Sequence, residues 1–130
     1  MLIYHEVVIQ TYDLHHMRHS FYSNNKIGPT IKHIPGHGAA TADSHKKLPI
    51  INIDKNKLNN LDFACFKNMN SLFAMTAHIL YKKIDKNDVS THSKIIISKI
   101  IRKKIGFAGI LISDDISMKA LKHDIVTNAN

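Results

Sequence analysis

The segment "VSTHSKIIISKIIRKKIGFAGILISDD", residues 89–115, decides the fold class. Its first half spaces apolar residues as one face of an amphipathic helix does: Ile97, Ile100, Ile101 and Ile105. Ser90 or Thr91 can cap this helix, and Gly106 can end it. The apolar run that follows at 107–113 is typical of a buried strand. The segment therefore predicts a helix that leads into a parallel strand.

The same alternation extends along the rest of the chain. Residues 30–34 and 72–80 are short β-prone or apolar runs, so they predict two further strands. Residues 54–69 carry helical spacing, with Asp54 as the expected N-cap. Residues 114–121 begin a further helix. Strands that alternate with helices indicate an α/β fold with a parallel sheet, covered on both faces or closed into a barrel.

Polar residues stand at or just after the end of each predicted strand. They are Lys32 and His33, then Thr76 and His78, then Ser113, Asp114 and Asp115. Because parallel α/β folds place their chemistry at the carboxyl ends of the strands, these groups are expected to share one site.

Composition narrows the class of protein. The chain has 130 residues, of which 44% are hydrophobic, so one modest domain with a real core is expected. The net charge of +8 would suit a nucleic-acid binder. However, the lysines are scattered and no stacking aromatics lie among them, so a solvated basic surface is favoured and no nucleic-acid partner is expected.

The compartment follows from two further features. Cys65 is the single cysteine, so no internal disulfide forms and a reducing, cytoplasmic location is expected. The sequence has no apolar run near the ~20 residues of a membrane span, and residues 1–13 do not have the pattern of a signal peptide. No membrane partner is therefore expected.

Residues 2–12 are compatible with a strand.

The loop "KHIPGHGAATADSH", residues 32–45, concentrates the reactive groups. A metal site could use His33, His37 and His45 with Asp43, but their spacing matches no zinc signature. The glycines lack the pattern of a phosphate-binding loop. The favoured interpretation has no metal and no cofactor.

Proton transfer is the chemistry that this loop suits better. The Asp43 carboxylate can reach the ring of His45 across a turn and so stabilise its protonated form. Asp114, at the end of another strand, can act as a carboxylate nucleophile. A nucleophile and a proton donor on a loop are the groups required for two-step glycosyl transfer to water.

The motifs "KHIPGHG", "DSH", "MTAH" and "IRKKIGFAGILISDDISMKAL" resemble, in this order, those of family 3 glycoside hydrolases. Among these, they are most similar to bacterial β-N-acetylhexosaminidases of peptidoglycan recycling. The resemblance runs from about Ile27 to about Leu121. It implies a TIM barrel, a retaining mechanism, and a cell-wall saccharide with β-linked N-acetylglucosamine as substrate.

The resemblance also implies a role for each site residue. Asp114 would be the nucleophile, and His45 backed by Asp43 the acid and base. Lys32, His33 and His78 would bind the sugar. The loop would carry His45 over the sugar, with Gly36 and Gly38 as hinges.

The extent of the resemblance suggests a fragment. Residues 1–25 do not match the family, and 26–130 correspond to the central-to-late part of its barrel, about three of eight strand–helix units. The sheet edges of such a piece would be free to self-associate. The alternatives are therefore an inactive remnant of such an enzyme or, less favoured, a nucleic-acid-binding or metal-binding protein.

Overall fold

The computed structural model describes Met17 and residues 20–22, 24–121 and 124–129. The described chain forms two parallel sheets, and the prediction of an α/β fold is confirmed. The expected strand at residues 2–12 lies outside the described residues. The strands are β1 (Thr30–Ile34), β2 (Ile50–Ile51), β3 (Phe73–Thr76), β4 (Leu80–Tyr81) and β5 (Ile110–Ile112).

The larger sheet has the order β1-β3-β5, and the smaller one pairs β2 with β4. The predicted strand at 72–80 is divided between them. After β3 the chain leaves the larger sheet, where the N–H of Ala77 donates to the carbonyl of Ile34 at 2.9 Å. It then joins the smaller sheet at Leu80. The ends of β1 and β3 therefore lie beside the second sheet.

Among the described residues, no helix is long and apolar enough to cross a membrane. The predicted helix at 54–69 is shorter than expected, because the backbone leaves helical geometry at Leu61, and a 3-10 turn (Ala64–Phe66) follows. Asp54 stands at the N-cap, but its carboxylate binds Lys83 at 2.9 Å instead of capping the helix. The helices are α1 (Lys55–Asn60), α2 (Ile96–Ile105), which is wound as a π-helix, and α3 (Ile125–Ala129).

Helix α2 begins later than the sequence predicts. The hydroxyl of Ser93 accepts a hydrogen bond from the N–H of Ile96 at 3.0 Å, so Ser93 is the capping side chain in place of Ser90 or Thr91. Gly106 ends the helix with a φ of +84°, as predicted. Ile97 is only half-buried, and the buried face comprises Ile96, Ile100, Ile101 and Ile105.

The predicted helix at 114–121 is wrong. Successive turns replace it, closed by hydrogen bonds from Met118 N–H to Asp115 O at 3.1 Å and from Leu121 N–H to Met118 O at 3.0 Å. The Asp115 carboxylate accepts from both the N–H and the hydroxyl of Ser117, at 2.8 and 2.7 Å. This side-chain bonding favours a turn over continued helix.

The two faces of the larger sheet differ in their environment. On one face, Ile31, Ala74 and Leu111 form a cross-strand row that belongs to the same core as the buried isoleucines of α2. The rows on either side point to the opposite face, where Ile110 is 60% and Ile112 is 37% exposed. The expectation that β5 is buried on both faces is therefore wrong. We call this apolar surface the open face; its residues are Phe73, Met75, Ile110 and Ile112.

Candidate active site

The three strands of the larger sheet bring the predicted polar groups to one edge. Lys32 and His33 lie in the second half of β1, and His78 follows the end of β3. Asp114 follows the end of β5. Because all three strands are parallel, these positions share the carboxyl edge of the sheet.

A contact between His33 and Asp114 joins the two outer strands of this sheet. His33 Nε2 lies 3.4 Å from Asp114 Oδ2, and the two side chains are 31% and 18% exposed. The contact spans the central strand β3 and lies at the border of the open face. It places an imidazole and a carboxylate together in a half-buried position.

A bulge in β1 gives His33 its direction. Lys32 pairs with Met75 and Ile34 pairs with Thr76, so His33 is an extra residue between two successive pairs. In a regular strand, side chains alternate between faces, and a bulge interrupts this alternation. The interruption lets both Ile31 and Ile34 enter the core while Lys32 and His33 stay outside it.

The electrostatics of the edge favour a neutral His33. Burial lowers the pKa of His33 below its ordinary 6.5, and this effect outweighs the opposing attraction of Asp114. The neighbouring Lys32, His37 and His45 lower the pKa further. At neutral pH the contact with Asp114 is therefore made by a neutral imidazole.

The two consecutive aspartates have different positions. Asp114 faces His33, whereas Asp115 closes the turn through its bonds to Ser117. Asp114 Oδ1 also accepts a hydrogen bond from the N–H of Asp115 at 2.9 Å. The structure therefore leaves Asp114 facing the site, while Asp115 holds the backbone around it.

The loop that carries His45 is closed by a tight turn. The N–H groups of Lys46 and Lys47 donate to the carbonyl of Asp43 at 3.0 and 3.1 Å. The carboxylate of Asp43 accepts from the backbone N–H of His45 at 2.9 Å. This bond differs from the expected one, in which the carboxylate would reach the imidazole ring. Asp43 therefore orients the backbone of His45 here and leaves the exposed ring available.

His45 lies close enough to the carboxyl edge to influence it. It lowers the pKa of His33, and it adds a small part to the lowering of the Asp115 pKa, which comes mainly from the hydrogen bonds of Ser117. Both effects require the ring to lie within electrostatic range of β1 and of the turn after β5. The fold thus places His45 within electrostatic range of His33 and of the turn that follows Asp114.

The base of the same loop is packed against α1 and β4. Gly36 has a φ of +145°, and a Cβ at this position would overlap the Cβ of Asp62. Asp62 Oδ2 accepts from the N–H of Ala39 at 3.3 Å, and Tyr81 donates to the carbonyl of Gly36. The expected hinge role of Gly36 is therefore not supported by the structure: glycine is required because the backbone approaches Asp62 closely.

The metal interpretation gains no support from the geometry. The rings of His33 and His37 lie 6.2 Å apart, centre to centre, in an edge-to-face arrangement. Across the part of the chain that the structure describes, no three histidine, cysteine, aspartate or glutamate side chains converge on a point where a metal ion could bind.

His78 lies behind the site and not on its surface. The side chain is only 1% exposed, and each ring nitrogen has a protein partner. Nδ1 lies 2.7 Å from the hydroxyl of Thr91, and Nε2 lies 3.0 Å from the carbonyl of Asp115. The expected contact of His78 with a sugar therefore has no free nitrogen to make it.

Sequence reasoning missed several groups that support the site. From the sequence, Thr91 is predicted only as a possible helix cap, and no role is predicted for Asp62 or Tyr81. Nothing in the local sequence pattern around these three residues indicates which groups their side chains contact. Those partners lie 13–45 positions away in the chain.

Comparison with known proteins gives this geometry its context. Residues 10–129 match the family model described as glycosyl hydrolase family 3 N terminal domain. A β-hexosaminidase of Haemophilus influenzae is 39% identical over 94 residues, which are 69% of this chain and 26% of that protein. A β-hexosaminidase of Methylobacillus flagellatus is 36% identical over 91 residues, with coverage of 68% and 26%.

A solved structure agrees in fold as well as in sequence. NagZ from Neisseria gonorrhoeae, in complex with N-trifluoroacetyl-D-glucosamine, superimposes with a TM-score of 0.61 at 34% identity. The match covers 68% of this chain and 26% of that one. The chain thus spans about a quarter of the length of the relatives that it matches.

Proposed function

The chain belongs to glycosyl hydrolase family 3, and we propose that its carboxyl edge carries the catalytic groups for retaining hydrolysis of β-linked N-acetylglucosamine. The observation that supports this best is the 3.4 Å contact between His33 and Asp114, with the His45 loop within electrostatic range. The contact brings a carboxylate, a neutral hydrogen-bond donor and a second imidazole to one half-buried edge of a parallel α/β sheet.

Asp114 is the proposed nucleophile. Its carboxylate attacks the anomeric carbon, and the bond from that carbon to the leaving-group oxygen breaks. A neutral His33 suits this step because it can donate one hydrogen bond without neutralising the charge of the nucleophile. Burial of His33 supports its neutral form, since burial lowers its pKa.

His45 is the proposed acid and base. Its protonated ring gives a proton to the leaving oxygen, and the neutral ring then takes a proton from water. The resulting hydroxide attacks the anomeric carbon and releases Asp114. The exposed ring and the turn that Asp43 closes support this role, because the loop presents the imidazole to solvent while hydrogen bonds to Asp43 hold its backbone.

Lys32 and His33 are the proposed sugar-binding groups. Lys32 is exposed and lies in the same cross-strand row as Met75 and Ile112 of the open face. An ammonium group beside apolar side chains suits a pyranose ring, which has hydroxyls at its rim and C–H groups on its faces. His33, whose Nε2 lies 3.4 Å from the Asp114 carboxylate, would orient a hydroxyl near the anomeric carbon.

The proposed substrate is a saccharide fragment of the cell wall that ends in β-linked N-acetylglucosamine. The relatives named β-hexosaminidase support a hexosamine, and the solved relative holds an N-acylated glucosamine. The origin of the saccharide in the cell wall rests on the resemblance of the sequence motifs. We propose a cytoplasmic enzyme, because the lone Cys65 suits a reducing compartment.

Self-association through the exposed sheet edges, which the sequence suggests, is also proposed, and the open face offers a second surface for it. The open face leaves Ile110 and Ile112 in contact with water on the same side of β5. Large apolar patches of this kind are buried in most proteins by another surface. A second copy of the chain can cover the open face of the first.

The experiment that tests the function is covalent trapping. An activated 5-fluoro N-acetylglucosaminyl fluoride forms a long-lived ester with a carboxylate nucleophile, and mass spectrometry of the digested protein identifies the modified residue. We expect one sugar per chain on Asp114. Because a single turnover is detected, even slow chemistry is measurable.

The adjacent carboxylate provides the matched control. Asp114→Asn should abolish labelling, whereas Asp115→Asn should leave the label on Asp114 at a reduced rate. A protein that is folded by circular dichroism but carries no label would overturn the proposed function and favour an inactive remnant. A label on Asp115 would overturn the assignment of Asp114 as the nucleophile.

A further inference from the structure

We infer that the buried His78 and its partner Thr91 form a positioning pair that holds the turn of Asp114 against the central strand. The inference rests on the proposed role of Asp114 as nucleophile. His78 follows β3, which lies between the two strands that carry His33 and Asp114. It is therefore placed to fix one outer strand end relative to the other.

The bond from His78 to the turn sets its ring orientation. Nε2 lies 3.0 Å from the carbonyl oxygen of Asp115. A carbonyl oxygen can only accept, so Nε2 carries a proton and donates it. In the neutral ring Nδ1 is then an acceptor, and the group that faces it must be a donor.

Thr91 meets that requirement. Its hydroxyl lies 2.7 Å from Nδ1 of His78, 2.9 Å from the hydroxyl of Thr76 and 3.2 Å from the carbonyl of Ala77. The single hydroxyl proton of Thr91 serves the shortest of these contacts, the one to Nδ1. The Thr76 hydroxyl then donates to Thr91 at 2.9 Å in preference to the carbonyl of Ile112 at 3.4 Å. The result is a chain of hydrogen bonds that all run in one direction, from Thr76 to Asp115.

The last hydrogen bond of this series, from His78 to Asp115, fixes the backbone next to the nucleophile. The Asp115 carbonyl accepts from both His78 and the N–H of Met118, at 3.0 and 3.1 Å. On its other side, the N–H of Asp115 binds the Asp114 carboxylate at 2.9 Å. The same residue therefore connects His78 to the side chain of Asp114.

His78 is expected to affect the reaction rate through the position of Asp114 and not through electrostatic charge. Misplacing a reacting group by ~1 Å can reduce a rate by roughly a hundredfold. His78 is only 1% exposed and its Nε2 bonds the carbonyl of Asp115, so its effect on Asp114 is expected to pass through Asp115. His78 is therefore a positioning residue, with Thr91 as the group that fixes its tautomer.

A pair of substitutions separates the two bonds of His78. His78→Gln can keep a donor near the position of Nε2, and His78→Asn can keep only an acceptor near the position of Nδ1. We expect His78→Asn to lower the rate of labelling of Asp114 at saturating trapping reagent by at least about tenfold, within the range for small displacements. His78→Gln should restore most of that rate, and the concentration for half-maximal rate should change little in either variant.

Substitutions of Thr91 provide an independent test of the same series of hydrogen bonds. Thr91→Ser keeps the hydroxyl and should label nearly as fast as the unmodified protein. Thr91→Val is similar in shape but has no hydroxyl, and should resemble His78→Asn. Urea unfolding of all four variants shows whether a rate follows the bond or only the overall stability.

Nuclear magnetic resonance gives a readout that does not depend on activity. The carboxyl ¹³C resonance of Asp114 should shift in His78→Asn and Thr91→Val and stay in place in His78→Gln and Thr91→Ser. Equal behaviour of His78→Gln and His78→Asn, or an unmoved Asp114 resonance in all four variants, would overturn the positioning role. Absence of labelling with the expected shifts would overturn only the proposed function.

Discussion

Tyr81 donates its hydroxyl proton to the carbonyl of Gly36 at 2.6 Å, across 45 positions of sequence. The bond joins the smaller sheet to the base of the loop that carries His45. Tyr81 also packs edge-to-face against Phe63, and its side chain is 1% exposed. The phenol therefore links the hydrophobic core to the loop of the proposed acid and base.

Tyr81→Phe keeps this packing and removes the hydrogen bond. The Gly36 carbonyl then loses a buried partner, so we expect the free energy of unfolding to fall by about 1–2 kcal/mol. Urea denaturation measures the change. Tyr22→Phe is the control, because Tyr22 is 43% exposed and should show no comparable loss.

Two glycines with positive φ should respond very differently to alanine. Gly36→Ala combines a φ of +145° with a Cβ that overlaps Asp62, and should lower stability by about 3 kcal/mol or more. Gly106→Ala has a φ of +84° with no atom within 4 Å, so strain alone should cost about 1 kcal/mol. Similar unfolding midpoints for the two variants would contradict the close approach at Gly36.

Asp62→Asn should stabilise the protein at neutral pH. Burial raises the pKa of Asp62 above its ordinary 3.8, so the ionised carboxylate opposes folding. Because the pKa of Asp62 is raised in the folded state, the contribution of its protonated form to stability is fully present below pH 3.8. This contribution is lost as the pH rises through the pKa of the folded state. The gain from asparagine should therefore be clear in urea unfolding at pH 7 and disappear near pH 3; a gain of equal size at both would refute the assignment.

His33→Gln should alter the pH dependence of stability in the opposite direction. Because burial lowers the pKa of His33 below 6.5, the unfolded chain binds the proton more readily than the folded one. The wild-type protein therefore loses stability as pH falls from above 6.5 towards the folded-state value. Relative to His33→Gln, it should be less stable at pH 5.5 than at pH 7.5. A constant difference between the two proteins would show that His33 titrates normally.

Ile110→Ser should weaken association of the chain with itself. Ile110 is 60% exposed on the open face, and serine removes most of its apolar surface without disturbing the core behind β5. Sedimentation velocity over a range of concentrations measures the effect. Val126→Ser is the matched control, because Val126 is 72% exposed on α3 and lies outside the open face. Equal association of both variants would exclude the open face as the contact.

Local sequence signals predicted the elements that depend on neighbouring residues. Strand β1 has the predicted bounds of Thr30 and Ile34, and α2 ends at Gly106 as predicted. In both cases the signal is a turn residue beside an apolar run, and such residues act through their own backbone geometry. The start of α2 was less predictable because Ser90, Thr91 and Ser93 can all cap a helix.

Hydrogen bonds to residues distant in sequence determine which of Ser90, Thr91 and Ser93 caps helix α2. Ser90 donates to the carbonyl of Ile79 at 2.9 Å, and Thr91 binds His78, so only Ser93 is left to accept from the start of α2. The same reason explains the lost helix at 114–121, where Asp115 bonds Ser117 and His78 in place of a helical neighbour.

The sequence by itself determined the α/β class, the approximate positions of the three strands of the larger sheet, the placement of His33 and Asp114 at strand ends and that of His45 on a loop, because periodicity and turn residues are local properties. Only the tertiary structure decided that a bulge turns His33 towards Asp114, that Asp43 binds the backbone of His45, and that His78 is buried. These depend on strand register and on partners distant in sequence, which no local pattern specifies.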